Sequence, residues 1–100
     1  MGRKLSAFET ELYQRTDEVL HYIWDPIGVS AEPSARDEYH VYLPQVFGML
    51  LAEPDKQTIV TYLLDVQANR MGLSPDVEHA EETADTLLSW RAKLKNEHLL

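Results

Sequence analysis

Apolar residues in the first quarter of the chain return at helical intervals. Turned through about 100° per residue, Phe8, Leu12, Val19 and Ile23 fall within a narrow arc, with Leu5 just outside its start. Tyr13, Leu20, Tyr22 and Trp24 stand on the shoulders of that arc. Ser6-Ala7-Phe8-Glu9 reads as a capping box, in which Ser6 and Glu9 each take a backbone N–H that the first turn leaves unpaired. Asp25 precedes Pro26 and is pushed out of the α region, so a first helix is predicted over about 6–24.

Asp25-Pro26-Ile27-Gly28 carries turn chemistry at each place, and the loop as far as Ser34 adds a second proline and two serines. Ile27 and Val29 are the aliphatic exceptions there. Either they tuck back onto the bundle or they form an exposed binding tip. Ser34 is placed to cap a second helix over about 35–52, with Arg36-Asp37-Glu38 as its polar first turn. Tyr39, Leu43, Val46 and Leu50 share its inner face, with Phe47 beside them. Pro44 interrupts this stripe without shifting its phase, which favours a kinked helix over a short helix followed by a new start near Pro44.

Glu53-Pro54-Asp55 marks the next break, and a third helix follows over about 55–71, stopped by Gly72. Ile59, Val60, Leu63 and Val66 form its inner stripe, while Tyr62, Leu64 and Met71 widen the apolar arc to both sides. Self-association of two copies accounts for that width. So does cover from within, by the loop after Trp24 or the tail Leu99-Leu100, and the two readings weigh equally. Ser74 and Pro75 open a fourth helix over about 75–96, with Val77, Ala80, Ala84, Leu87, Leu88 and Leu94 inward. The pattern contains no strand and no repeat. It predicts a single all-α domain spanning residues 1–100, a bundle of four main helices.

Composition narrows the function classes. The 100 residues include no cysteine, which removes disulfides, thiolate metal sites and a cysteine nucleophile. Seventeen acids against nine bases give a net charge of −8, which repels phosphate backbones and disfavours nucleic acid. No signal peptide or membrane span is read from the sequence, so a cytoplasmic location is expected.

Acid–histidine pairs one turn apart occur at Glu18/His21, Asp37/His40 and Asp76/His79, the spacing used by di-iron bundles. At constant helical phase, however, His21 points about 180° away from the inner face, and the other two lie on shoulders. No metal or other cofactor is therefore assigned. No glycine-flanked serine and no Gly-rich phosphate loop is present, and no catalytic residue is assigned. The best polar cluster is Asp25, Arg36, Asp37 and Glu38, with an Asp25–Arg36 bridge across the loop as its structural reading.

Trp24-Asp25-Pro26-Ile27-Gly28-Val29, followed shortly by Ala35-Arg36-Asp37-Glu38-Tyr39, resembles a group of small bacterial proteins of uncharacterised function that carry W-D-P-I-G-V and A-R-D-E-Y elements. His79-Ala80-Glu81-Glu82-Thr83-Ala84 with Leu87-Leu88-Ser89-Trp90 is similar to that group as well. More loosely, the helix ending in Trp24-Asp25-Pro26 resembles the YugE-like proteins, small all-α domains. The resemblance runs from Val19 to Leu94 and implies a bacterial, cytosolic, all-α protein; it brings no catalytic residues with it.

A non-catalytic protein-binding module fits these features best, for example a bacterial immunity or antidote protein with a basic protein partner. Trp24, Asp25, Ile27, Val29, Arg36, Asp37 and Glu38 are its candidate binding residues. The competing readings are a small enzyme or metal-dependent protein using Asp25, Asp37, Glu38 and a histidine, and a structural homodimer joined through Tyr62, Leu64 and Met71.

Overall fold

The structure, a computed structural model, describes residues 4–52 and 54–98. Among them are four α-helices and no strand: α1 (Ala7–Glu18), α2 (Leu43–Leu51), α3 (Lys56–Asp65) and α4 (Val77–Glu97). Leu99, Leu100 and Glu53 lie outside the described residues, so the proposed cover by the tail does too.

The capping box at Ser6 forms as read, with Glu9 N–H on Ser6 Oγ at 3.1 Å and Ser6 N–H on Glu9 Oε1 at 2.9 Å. A π-helical turn, Val19–Trp24, then carries α1 to the predicted end at Trp24. In such a turn the bonds run from i to i+5, as Asp25 N–H does to the Leu20 carbonyl at 3.1 Å, and each residue rotates less than in an α-helix. The core-facing position therefore slips from 23 to 24. This corrects two expectations: His21 is buried, at 3 % exposure, and Ile23 is turned outward. Trp24, at 1 %, takes the place read for Ile23.

The second helix is shorter than predicted. Pro33–Ala35 form a single 3₁₀ turn, residues 36–42 continue as successive tight turns, and regular helix starts only at Leu43 with Pro44 in its first turn. Pro44 has no N–H for the carbonyl one turn back, and its ring crowds that carbonyl, so the chain restarts there rather than kinking. Ser34 caps nothing; its hydroxyl donates to Glu32 Oε1 at 3.1 Å.

Asp55 caps α3 through Thr58 N–H at 2.9 Å. A second π-helical turn, Val66–Arg70, ends at Gly72, whose φ of +68° lies in the left-handed region that glycine adopts without penalty. The cap of α4 is Asp76, which accepts from His79 N–H at 3.1 Å, rather than Ser74. Val77 becomes the first helical residue and is exposed rather than inward.

α1 and α4 run antiparallel. At one end His98 Nε2 donates to Glu11 Oε1 at 3.3 Å and its ring meets Phe8 edge-on; at the other, His79 Nε2 donates to the Trp24 carbonyl at 2.8 Å. α3 lies along α4 on another side, with Lys56 on Asp85 at 3.1 Å. α2 bridges α1 and α4: Phe47 meets Tyr13 edge-on at 5.0 Å, and Arg91 Nε donates to the Leu50 carbonyl at 2.6 Å. Leu12, Val46, Leu50, Ile59, Leu63 and Leu87 fill the centre between the helices.

The slip in phase gives a direct test. Trp24→Ala is expected to lower the unfolding free energy by about 3–5 kcal/mol, the range for a buried large aromatic, whereas Ile23→Ala should lower it by less than about 1 kcal/mol. Urea unfolding of both variants measures the contrast. Comparable losses would mean that the helix keeps its α phase as far as Trp24.

Candidate binding surface at the end of the first helix

Trp24 is followed by the only non-glycine residue with a positive φ among those described, Asp25, at 33°. Aspartate tolerates that region because its short carboxylate bonds locally. Here it accepts three hydrogen bonds: Oδ1 from Val29 N–H at 2.8 Å and from the Tyr39 hydroxyl at 2.7 Å, and Oδ2 from Ser30 N–H at 3.1 Å. Gly28 N–H closes the predicted turn on the Asp25 carbonyl at 3.1 Å. The Tyr39 hydroxyl in turn accepts from Ile27 N–H at 3.1 Å, so the loop is fastened to residues 36–42 at two points.

Aromatic packing holds the same junction from beneath. The Trp24 ring meets Tyr39 at 5.5 Å and Tyr42 edge-on at 6.2 Å, geometries favoured by the ring quadrupoles. Ile27 is 45 % exposed and stands clear of this stack, while Val29 is half-buried against the core.

The predicted Asp25–Arg36 bridge is not formed. Asp25 takes donors from Val29, Ser30 and Tyr39, and Arg36 reaches back to α1 instead, gripping Asp17 through two parallel bonds at 3.0 and 2.9 Å. His40 Nε2 donates to the same carboxylate at 3.1 Å, and the Arg36 guanidinium lies 5.4 Å from the centre of the Tyr22 ring. Sequence reading thus missed Asp17, Tyr39, Tyr22 and His79. Tyr39 did carry a signal: a tyrosine on an inner stripe needs a partner for its hydroxyl.

These contacts perturb the ionisable groups. Burial alone would raise the Asp25 pKa, but the hydrogen bonds from Tyr39, Val29 and Ser30 together outweigh it and hold the carboxyl below its ordinary value. Burial, followed by the bond to Asp25, raises the Tyr39 phenol well above its ordinary value. Asp17 stabilises the Arg36 cation further.

Asp25, only half-buried, thus serves as an acceptor for three donors that shape the loop. Asp37 and Glu38 are exposed and are not joined to it. Tyr62, Leu64 and Met71 are half-buried and packed against the core. Among the described residues no three His, Asp or Glu side chains are grouped so as to hold a metal ion, and no helix is long and apolar enough to cross a membrane.

A concavity of about 360 Å³ runs along the middle and later turns of α4 between Asp85, Thr86, Ser89, Trp90 and Lys93. Its charged members are engaged within the chain, Asp85 by Lys56 and Lys93 by Glu97 at 2.6 Å. Compared with family models, with curated proteins and with solved structures, the chain matches none of them.

Removing the Tyr39 hydroxyl tests the junction. Tyr39→Phe should lose about 1.5–3 kcal/mol near neutral pH, as expected for a bond to a charged acceptor. The depressed Asp25 pKa stabilises the fold above the unfolded value of about 3.9, and that contribution is lost as pH falls through the lower folded value. The raised Tyr39 pKa acts on the other limb, its contribution persisting below about 10 and fading at higher pH. Urea midpoints between pH 2 and 7 should therefore show the gap between wild type and Asp25→Asn shrinking on acidification. A gap independent of pH would mean that Asp25 is not held as an anion.

Proposed function

We propose that the chain is a non-catalytic protein-binding module whose contact element is the loop after Trp24. What supports this reading is one arrangement: a loop fixed internally by the Asp25–Tyr39 tie that still presents Ile27 to solvent. Fixing a loop in advance lowers the entropy lost on binding, while an exposed aliphatic side chain supplies contact area. The same arrangement disfavours catalysis at Asp25, since the donors that shape the loop occupy the carboxylate. A bacterial immunity or antidote protein is one concrete form of such a module, acting by covering the working surface of a basic toxin.

A photo-crosslinking amino acid at position 27, introduced in the producing cell, tests the loop's role, with position 93 on the far part of α4 as control. A discrete adduct with another protein is expected from position 27 and not from 93. An adduct from both alike, or from neither, would remove the loop from the binding role. A product with the mass of two copies of this chain would assign the loop to a homodimer instead.

A further inference from the structure

Charge and exposed apolar surface coincide at one end of the bundle. Residues 16–42 and 65–84 meet around Trp24, through His79 on its carbonyl and through the rings of Tyr39 and Tyr42. These two segments contain eleven acids against two bases, whereas the rest of the chain contains six acids against seven bases. One of the two bases, Arg36, is already held by Asp17. Glu32, Asp37, Glu38, Glu78, Glu81 and Glu82 are exposed to solvent.

The same segments hold every large apolar side chain that is exposed among the described residues. Tyr22, Ile23, Ile27, Val41 and Val77 are each between 42 and 73 % exposed. Scattered single apolar residues are ordinary on a surface, but five confined to the acidic end of a small domain mark that end out from the remainder. The π-helical turn contributes directly, because its slip in phase is what turns Ile23 outward beside Tyr22.

We infer that this end docks a cationic, amphipathic segment of a partner protein, with lysine or arginine flanking an apolar face; the inference rests on the binding-module reading above. Each element of that chemistry answers an observation. Carboxylates in this number repel nucleic acid and anionic lipid, and they set two copies of this end against each other. Cations alone would leave the five apolar side chains in water, and an apolar partner alone would bury carboxylates without compensation. A segment with both satisfies both, and its association is steered by the field of the acidic end.

Three short synthetic helices serve as probes: lysine–leucine amphipathic, lysine–serine of equal charge, and glutamate–leucine with the same apolar face. Isothermal titration on the full chain is expected to show binding of the lysine–leucine peptide, weakening with salt. Ile23→Ser/Ile27→Ser and Glu78→Gln/Glu81→Gln should each raise its Kd roughly tenfold, while Glu11→Gln/Glu97→Gln, at the opposite pole beside His98, should leave it unchanged. The lysine–serine peptide should bind at least roughly tenfold more weakly and the glutamate–leucine peptide not at all. Far-UV circular dichroism confirms that each variant is folded.

Equal binding of the two lysine peptides, or a Kd unchanged in both surface variants, would overturn the inference. If the lysine–leucine peptide fails while the crosslink from position 27 persists, the cationic partner is wrong and the binding module stands. If the crosslink fails as well, both fall.

Discussion

A single carboxylate determines how the first half of the chain is arranged. Asp25 sits where α1 must stop, in a left-handed conformation, and its two oxygens take up the N–H groups of Val29 and Ser30 together with the hydroxyl of Tyr39. The first two bonds shape the loop and the third attaches it to residues 36–42, a stretch with only tight turns of its own. Such a stretch lacks the repeating bonds of a helix, so its position depends on tertiary ties. The Asp17–Arg36 pair, bidentate and likewise part-buried, provides a second one.

The fold class and the order of the helices were legible in the sequence because they follow from periodicity and from proline, glycine and capping residues. The Ser6–Glu9 box, the Asp55 start and the Gly72 stop each act within a few residues, and each stands where local chemistry places it. Two features were not legible. A constant turn of about 100° per residue has no place for a π-helical turn, so His21 and Ile23 were assigned to opposite sides from those they occupy. The preserved stripe through Pro44 spoke for one helix, since Tyr39 reaches the core from a turn as readily as it would from a helix.

The candidate surface was legible in part. Asp25, Ile27, Arg36 and Glu38 drew notice because turn chemistry and charge cluster there, but which of them pair could not be read from spacing. Arg36 pairs with Asp17 on α1, while Asp25 takes donors from three other residues. Pairing of this kind is decided by which donors the folded chain brings to each acceptor, a property of the whole chain and not of any short stretch.

The antiparallel course of α1 and α4 has a geometric consequence. Phe8 and His98, near the first and last described residues, stand with their rings 6.1 Å apart, while the Trp24 end lies at the other extreme of both helices. A surface linkage, a fluorophore or a fused domain joined beside either of these residues would emerge at the same pole. The loop would then face away from the attachment, whichever end of the described chain carried it.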